Sequence, residues 1–501
     1  MADKSLIRTR FAPSPTGFVH IGNFRTALFS HLWARHNGGT SILRIEDTDQ
    51  NRKVEGAIEY LLRVMKQMGV EFDEGFYLKD DGTTGERGDF GPYLQSQRLA
   101  LYQKFADQLI SQKQAYYCFC SEERLNDLRK EQVALKKPPM YDRHCYNLSE
   151  EQKQKLMDEF KASGKNPVIR FFIPEGQTVV KDLIYGHITY ENRVLDDQVI
   201  IKSDGFPTYH LAVVVDDHHM QITHVIRGEE WIPSTPKHIL IYKALGWEPT
   251  LFAHLPLILN PDKSKLSKRQ GDVATEDYLK KGYLPQVLVN FVAMLGWNPK
   301  TEQEIFSMDD LVKQFDLSKV NKSGAVFDLN KLDWISSQYI RLIPDKELAD
   351  LLVPYWKQNG INTDKSKIEY LTSIAGLEKE RLKKLSEIGE RTGYFFAAPD
   401  YNPDLLVWKK SDKEKTRRAL ERLSELLKTE ENFSQGNLEI VIKKFIAENN
   451  FDNGSVLWPL RVALTGQEKS PGPFEVCATL ALGPGKEEIL MRLNRAIQKL
   501  S

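Results

Sequence analysis

Residues 6–23, Leu6-Ile7-Arg8-Thr9-Arg10-Phe11-Ala12-Pro13-Ser14-Pro15-Thr16-Gly17-Phe18-Val19-His20-Ile21-Gly22-Asn23, decide how the rest of the chain is read. Leu6 to Phe11 reads as a short strand. Pro13 and Pro15 then restrict both themselves and the residues before them, so regular structure stops. Apolar residues return at Ile21, Phe24, Leu28 and Leu32, which is helical spacing, and Asn37-Gly38-Gly39 ends that helix. Ser41 to Ile45 looks like the next strand. Val54, Ile58, Leu61, Leu62, Met65 and Met68 mark one face of a second helix, closed by Gly69. Strand, helix, strand, helix predicts a parallel sheet of the nucleotide-binding kind. His20-Ile21-Gly22-Asn23 falls where the proline loop enters the first helix. Free N–H groups and the positive end of the helix dipole suit a phosphate there. Gly22 leaves room for a base or ribose, and His20 could donate to a phosphate oxygen. Taken alone, a histidine near a helix start with a packing glycine is the commoner meaning of such a signal.

Working outward, a Gly- and Asp-rich loop from Lys79 to Pro92 interrupts the pattern. A cysteine-bearing stretch of mixed character follows, from about Leu99 to Ile200. Parallel-sheet signals resume at Leu211 to Val215, His224 to Arg227 and Leu255 to Leu259. The simplest organisation is one αβ domain split by an insertion the size of a small domain. Beyond about Leu342 the strand signals fade. Amphipathic, charged stretches such as Leu377 to Arg391 and Lys413 to Lys428 suggest helical bundles.

Composition bounds the function. A chain of 501 residues fits several domains, and 41% hydrophobic with 10% aromatic residues can bury several cores. Lys plus Arg number 69, as do Asp plus Glu, which argues against a uniformly basic nucleic-acid coat but not against a local basic face. No apolar run reaches the roughly 18 residues that span a bilayer, and Met1 to Arg10 carries no apolar export signal. Four cysteines in so long a chain are no disulfide framework, so a reducing cytoplasm is expected.

A second phosphate signal lies at Lys263-Ser264-Lys265-Leu266-Ser267-Lys268-Arg269-Gln270-Gly271, where four cations fall within seven residues. A lone run of this kind is usually a solvated basic loop. Its hydroxyls and glycine also suit a mobile clamp on a polyphosphate.

Together these segments carry a resemblance. Arg10 to Gly17 followed by His20-Ile21-Gly22 resembles the opening of glutamyl-tRNA synthetases, including their form of the class I HIGH signature, with Asn23 in the fourth place. Lys265-Leu266-Ser267-Lys268-Arg269 resembles the KMSKS signature. Arg44 to Asp49, Lys202 to Leu211, Arg227 to Trp231 and Pro459 to Gly466 resemble further blocks, so the likeness covers essentially the whole chain.

The resemblance implies an α/β Rossmann-type parallel-sheet catalytic domain in two halves, 1–98 and 201–255. It places an inserted α+β acceptor-binding domain at 99–200 and a stem-contact domain carrying the KLSKR loop at 256–341. Helical anticodon-binding domains follow at 342–400 and 401–501. The implied reaction is ATP-dependent activation of L-glutamate and transfer to the terminal adenosine of tRNA(Glu), by a monomer, with Mg2+ accompanying ATP; charging of tRNA(Gln) is left open. His20, Lys265 and Lys268 are the implied catalytic residues, and with Gly22 they form the ATP site. Arg10, Ala12 through its backbone, Ser14, Glu46, Tyr209 and Arg227 match the family's glutamate positions. Two arginines can answer two carboxylates, and Glu46 the ammonium. Val213 replaces the asparagine that many members carry four residues after the pocket tyrosine. Asp216-Asp217-His218-His219 looks like a metal cluster, but residues adjacent at a strand end point in different directions, so joint ligation is not expected.

Cys118, Cys120 and Cys145 offer three zinc ligands if a fourth is near, with Tyr141 and His144 as candidates; buried thiols without metal are the alternative. The resemblance favours Tyr141, which related enzymes place four residues before the last cysteine. For tRNA, Arg391, Lys409, Arg417 and Arg418 are candidate contacts, and Tyr394 and Phe395 could stack on unpaired bases. The competing readings are a paralogue that glutamylates a base within tRNA, a small-molecule adenylyltransferase, a glutaminyl-tRNA synthetase and a non-catalytic tRNA-binding protein.

Overall fold

The computed structural model describes residues 6–52, 54–266 and 274–501. Two compact units emerge, one of Met1–Tyr278 with Leu288–Asp328, the other of Leu279–Val287 with Leu329–Ser501.

The first unit begins as the opening motif requires. β1 (Arg8–Phe11) runs into the proline loop, α1 (Ile21–His36) crosses back, and β2 (Thr40–Leu43) pairs parallel to β1 with Arg8 opposite Thr40 and Phe11 opposite Leu43. α2 (Ala57–Gln67) leads to β3 (Glu74–Leu78), again parallel to β2. The loop expected at Lys79 to Pro92 contains β4 (Thr84–Arg87), which closes a hairpin with β3. Its Thr-Gly-Glu-Arg sequence lies at the sheet edge, where polar residues are favoured and no apolar alternation is needed.

The 99–200 segment supplies α3 (Leu99–Ser111), β5 (Ala115–Cys118), α4 (Glu122–Ala134), α5 (Glu150–Ala162), β6 (Val168–Phe171), β7 (Gln177–Asp182) and β8 (Gly186–Glu191). With β9 (Val199–Ile201), strands β5 and β6 form a small antiparallel sheet in the order β5-β6-β9. The β7–β8 hairpin goes elsewhere. After α6 (Tyr209–His219), β10 (His224–Gly228), α7 (Thr235–Ala244) and β11 (Leu251–Leu255), the large sheet is complete in the order β4-β3-β2-β1-β10-β11-β7-β8. The 99–200 segment therefore contributes two strands to the same sheet as the opening motif.

Two sequence expectations are corrected. Leu211 to Val215 is not a strand but the middle of α6, with all five residues buried. A short, wholly apolar run signals burial on every side and does not distinguish strand from helix. Asp216 and Asp217 consequently stand on the last turns of a helix rather than at a strand end. Leu255 to Leu259 is likewise no single strand: β11 ends at Leu255 and β12 (Ile258–Leu259) pairs with β13 (Ala325–Val326). Pro256, with no N–H to give a ladder, stands between them.

Among its described residues after Asp328 the second unit consists of helices joined by loops, with no strand. The stretch from Leu377 to Arg391 is divided: one helix ends at Glu378 and the next begins at Ile388. Lys413–Thr429 is continuous, and Asp412 caps it by accepting from the Lys415 N–H at 2.7 Å. Trp356 and Thr392 share a buried 2.8 Å hydrogen bond. Arg492, 2% exposed, donates to the carbonyls of Tyr394 and Leu464 and so ties two helices together. Among the described residues no helix is long and apolar enough to cross a membrane.

Candidate active site

A cleft of about 610 Å³ opens at the carboxyl ends of β1 and β10, beside the start of α1. Adjacent strands β2 and β10 flank β1 there, the position where open parallel sheets place their ligands. Arg10, Ala12, Ser14, His20, Gly22, Glu46, Tyr209, Arg227 and Lys265 all line it. The structure thus gathers every residue expected to hold glutamate and every described residue of the expected ATP site. Lys268 lies outside the described residues.

His20 caps α1. Its Nδ1 accepts the Gly22 N–H at 3.0 Å. An accepting ring nitrogen carries no proton, so in the neutral ring the proton sits on Nε2, leaving that edge a donor. A Cβ on Gly22 would lie 3.3 Å from the same Nδ1, so a side chain here would crowd the cap. The described flanks of the basic segment both return to this place. Leu266 N–H donates to the Ile258 carbonyl at 2.9 Å, and Lys265 bridges Leu259. On the far side Ala274 bridges His20, while the Thr275 N–H and hydroxyl both donate to the Val19 carbonyl at 3.0 Å.

Behind one wall of the cleft, where Arg10 and Glu46 line it, lies an acid-rich arginine centre. Arg44, fully buried, donates to Asp217 Oδ1 at 2.8 Å and Glu46 Oε1 at 3.0 Å, with Asp216 at 3.7 Å. Arg10 reaches the same Asp217 Oδ1 at 3.2 Å. Asp216 in turn accepts from Gln95 at 2.8 Å, Arg98 at 2.7 Å and Tyr102 at 2.8 Å. Burial would raise the Asp217 carboxyl, but Arg10 and Arg44 outweigh it and hold it below the usual range. Glu46 goes the other way: burial raises it despite Arg44 and Arg10. A nearby ammonium would relieve that penalty.

The other wall holds Arg227 without acid. Its Nη1 donates to the Tyr209 hydroxyl at 3.0 Å, its Nη2 to Thr235 Oγ1 at 2.9 Å and its Nε to His254 Nε2 at 3.1 Å. His238 Nδ1 lies 3.3 Å from both Nη atoms. Among the described residues no carboxylate lies within salt-bridge range of Arg227. Burial pushes His238 and His254 below the ordinary histidine value, which keeps both rings neutral beside the guanidinium. Trp231 covers the site, its ring 4.3 Å from that of Tyr209.

Sequence reasoning missed Arg44, Thr235, His238 and His254 as site residues. Arg44 lies in the quoted Arg44-Ile45-Glu46 block, two residues from Glu46 and so on the same face of an extended chain. The other three look like ordinary helix and strand residues. Asp216 and Asp217, not expected to ligate a metal jointly, anchor arginines in the structure. Val213 is packed in the apolar cluster of α6 and does not line the cleft.

Elsewhere in the first unit the sulfurs of Cys118, Cys120 and Cys145 lie within 4.8 Å of one another. Cys120 Sγ is 3.5 Å from Cys145 Sγ, and the Tyr141 hydroxyl lies 3.5 Å from Cys118 Sγ and 3.4 Å from Cys120 Sγ. Four donors around tetrahedral zinc with Zn–S near 2.3 Å would stand about 3.8 Å apart, so the set fits that ion closely. Tyr141, not His144, is the fourth donor that the fold delivers.

In the second unit, Arg391 faces Glu387 at 3.7 Å and Glu378 at 3.9 Å, and Arg417 pairs with Glu414 and Glu421. Lys409 and Arg418 are exposed. Tyr394 and Phe395 are 5% and 1% exposed, so the expectation that they meet unstacked bases is corrected: both are core side chains.

Comparison with known proteins gives the family. The family pattern described as tRNA synthetases class I (E and Q), catalytic domain, matches residues 6–334, and an anticodon binding domain pattern matches residues 347–497. The glutamate–tRNA ligase of Dehalococcoides mccartyi strain CBDB1 is 45% identical over 99% of this chain and 98% of its own length. That of Clostridioides difficile strain 630 is 45% identical over 97% and 98%. A crystal structure of a glutamate tRNA ligase from Elizabethkingia meningosepticum in complex with its amino acid superposes with a TM-score of 0.89 at 36% identity, covering 99% of this chain and 100% of that one. A parallel-sheet crevice lined by the first signature, with relatives matched along nearly the full length, carries one conclusion: the chain belongs to the class I tRNA synthetases of the E and Q group.

Proposed function

We propose that this protein is a glutamate–tRNA ligase. In the first step an oxygen of the glutamate α-carboxylate attacks the α-phosphorus of ATP. The bond to the β-phosphate breaks, giving glutamyl-adenylate and pyrophosphate. In the second, a hydroxyl of the terminal adenosine of tRNA(Glu) attacks the glutamyl carbonyl, loses its proton and displaces AMP. Neither step needs a protein nucleophile, so catalysis is positioning and stabilisation of phosphate charge.

The observation that carries the reading is the charge inventory of the cleft. Glutamate brings two carboxylates and one ammonium; the cleft offers Arg10, the acid-free Arg227 and the half-compensated Glu46. Glutamine would leave one arginine facing a neutral amide, a costly mismatch in a buried site. Ala12 through its backbone and Ser14 complete the ammonium side. His20 through Nε2 and Lys265 with Lys268 hold the ATP phosphates, and Gly22, whose own N–H is taken by His20, leaves room for the base or ribose. Mg2+ would be held mainly by phosphate oxygens and water, as it dehydrates reluctantly.

The same reading assigns 99–200 to the tRNA acceptor end, 256–341 to the stem and 342–501 to the anticodon, with Arg391, Lys409, Arg417 and Arg418 as contacts. It places the enzyme in the cytoplasm as a monomer. A structural zinc on Cys118, Cys120, Tyr141 and Cys145 would lock the small antiparallel sheet to the loop after α4. Metal analysis of protein prepared without chelators should find one zinc per chain; finding none would remove that ion.

The test of function is charging of purified tRNA(Glu) and tRNA(Gln) with labelled glutamate. Charging of tRNA(Glu) supports the proposal. Bound but uncharged tRNA would favour the non-catalytic reading, and adenylate formation on another acid a small-molecule enzyme.

A further inference from the structure

Three neighbouring strands of the large sheet carry Arg227, His254 and Asp182 in a row. Arg227 on β10 stands opposite His254 on β11, and β11 pairs in turn with β7, where Asp182 closes the strand. His254 Nε2 accepts from Arg227 Nε at 3.1 Å, and Nδ1 faces Asp182 Oδ2 at 2.6 Å. Thr235 Oγ1 also lies 3.2 Å from Nε2 while giving its proton to the Trp231 carbonyl, so Arg227 and Asp182 fix the ring. An Nε2 that accepts is unprotonated, so the proton is on Nδ1 and is donated to Asp182. Asp182 is itself immobilised: Oδ1 accepts the N–H groups of Ile184 at 2.9 Å and Tyr185 at 2.8 Å, and Oδ2 also accepts the His254 N–H at 3.2 Å.

We infer that His254, oriented by Asp182, is a positioning residue for substrate recognition: it holds the Arg227 guanidinium by a neutral lone pair and so keeps its charge for a carboxylate of the substrate. The inference rests on the reading of Arg227 given above. A carboxylate placed directly on Arg227 would hold it equally well but would neutralise it. The imidazole puts one ring between the acid and the guanidinium. His238 repeats the device from α7, offering Nδ1 to Arg227 while its Nε2 faces His210 Nδ1 at 3.0 Å. Thr235 and Tyr209 complete a shell of neutral acceptors. The Phe252 ring, 5.4 Å from Arg227 Cζ and nearly parallel to His254, packs on the same side.

The experiment is steady-state charging of tRNA(Glu) by His254→Leu, His254→Gln and Arg227→Gln, with KM for glutamate, KM for ATP and kcat measured separately. His254→Leu removes the lone pair and should raise KM for glutamate about tenfold, with KM for ATP unchanged and kcat within about threefold. His254→Gln, whose Oε1 can accept from Arg227, should recover most of that loss. A bulk structural role would not give this split or this rescue. If Arg227→Gln loses glutamate but both His254 variants keep the wild-type KM, the positioning role is overturned while Arg227 stands. If Arg227→Gln also keeps the wild-type KM, both fall. Should His254→Leu fail to fold, the nitrogen-15 spectrum of histidine-labelled wild-type protein, assigned with His254→Gln, decides. A neutral His254 protonated on Nδ1 supports the role; protonation on Nε2, or on both nitrogens at neutral pH, overturns it.

Discussion

Arg44, behind the cleft residues Arg10 and Glu46, and Arg227, in the cleft wall, are both buried guanidiniums, and they are held in opposite ways. Arg44 donates to two carboxylates, with a third 3.7 Å away; Arg227 meets two histidines, a threonine and a tyrosine. The first charge is consumed inside the protein, the second is not. Acid-paired arginine builds the floor on which Arg10 and Glu46 stand, whereas histidine-supported arginine remains available to a ligand. Burial alone does not separate Arg44 from Arg227; the charge state of their partners does, and Arg10, which shares Asp217 with Arg44 but lines the cleft, stands between the two.

The contrast can be broken by exchanging stability for activity. Arg44→Leu leaves Asp217, Glu46 and Asp216 buried without their common cation and should destabilise the fold by about 3–5 kcal/mol, read as a lower midpoint in denaturant. Equal stability to wild type would mean that the centre is not a structural charge cluster. Arg227→Gln should do the reverse: kcat/KM for glutamate falls about a hundredfold, roughly 3 kcal/mol, while stability changes by less than about 1 kcal/mol. A folding defect with normal glutamate use would invert the comparison.

Smaller effects sharpen it. His210, His238 and His254 are held below the ordinary histidine value of 6.5, His210 at about 4, all by burial first. The unfolded chain therefore takes up more protons as pH falls, so their contribution to stability is complete above 6.5 and is lost as pH descends below it, for His210 between 6.5 and about 4. Asp217, held below its ordinary 3.8 because Arg10 and Arg44 outweigh burial, loses its contribution only below that window. The neutral-shell centre should thus weaken first in acid. His210→Gln should flatten the stability profile between pH 6.5 and 4 by about 1–3 kcal/mol, and an unchanged slope would remove the histidine from the account. Glu46→Gln keeps a hydrogen-bond acceptor for Arg44 but loses charge, and should raise KM for glutamate about tenfold, near 1.4 kcal/mol, with little effect on ATP. No change would release Glu46 from the ammonium.

Much of this site was legible where the signal is local. β1, the proline loop, the start of α1 and its His20 and Gly22 lie within one short stretch, and Lys265 announces itself by charge density. Partnerships across the sheet were not legible. Asp182 and His254 are 72 residues apart, and His254 within Leu251-Phe252-Ala253-His254-Leu255 reads as one polar residue in a buried strand. Only the pairing of β7 with β11, itself hidden because the hairpin leaves its own segment to join another, brings them together. The helix at Leu211 to Val215 was misread for a related reason: complete burial erases the periodicity that distinguishes the two structures. Tyr394 and Phe395 show the converse error, in which aromatic residues next to a charged stretch are taken as surface although they fill the core.

The most direct test is a crystal structure with glutamate bound in the cleft. One substrate carboxylate should lie within hydrogen-bond distance of the Arg227 guanidinium, with the ammonium against Glu46 and His254 still bridging Arg227 to Asp182. Glutamate bound with neither carboxylate at Arg227, and that guanidinium turned onto a protein carboxylate, would contradict the account.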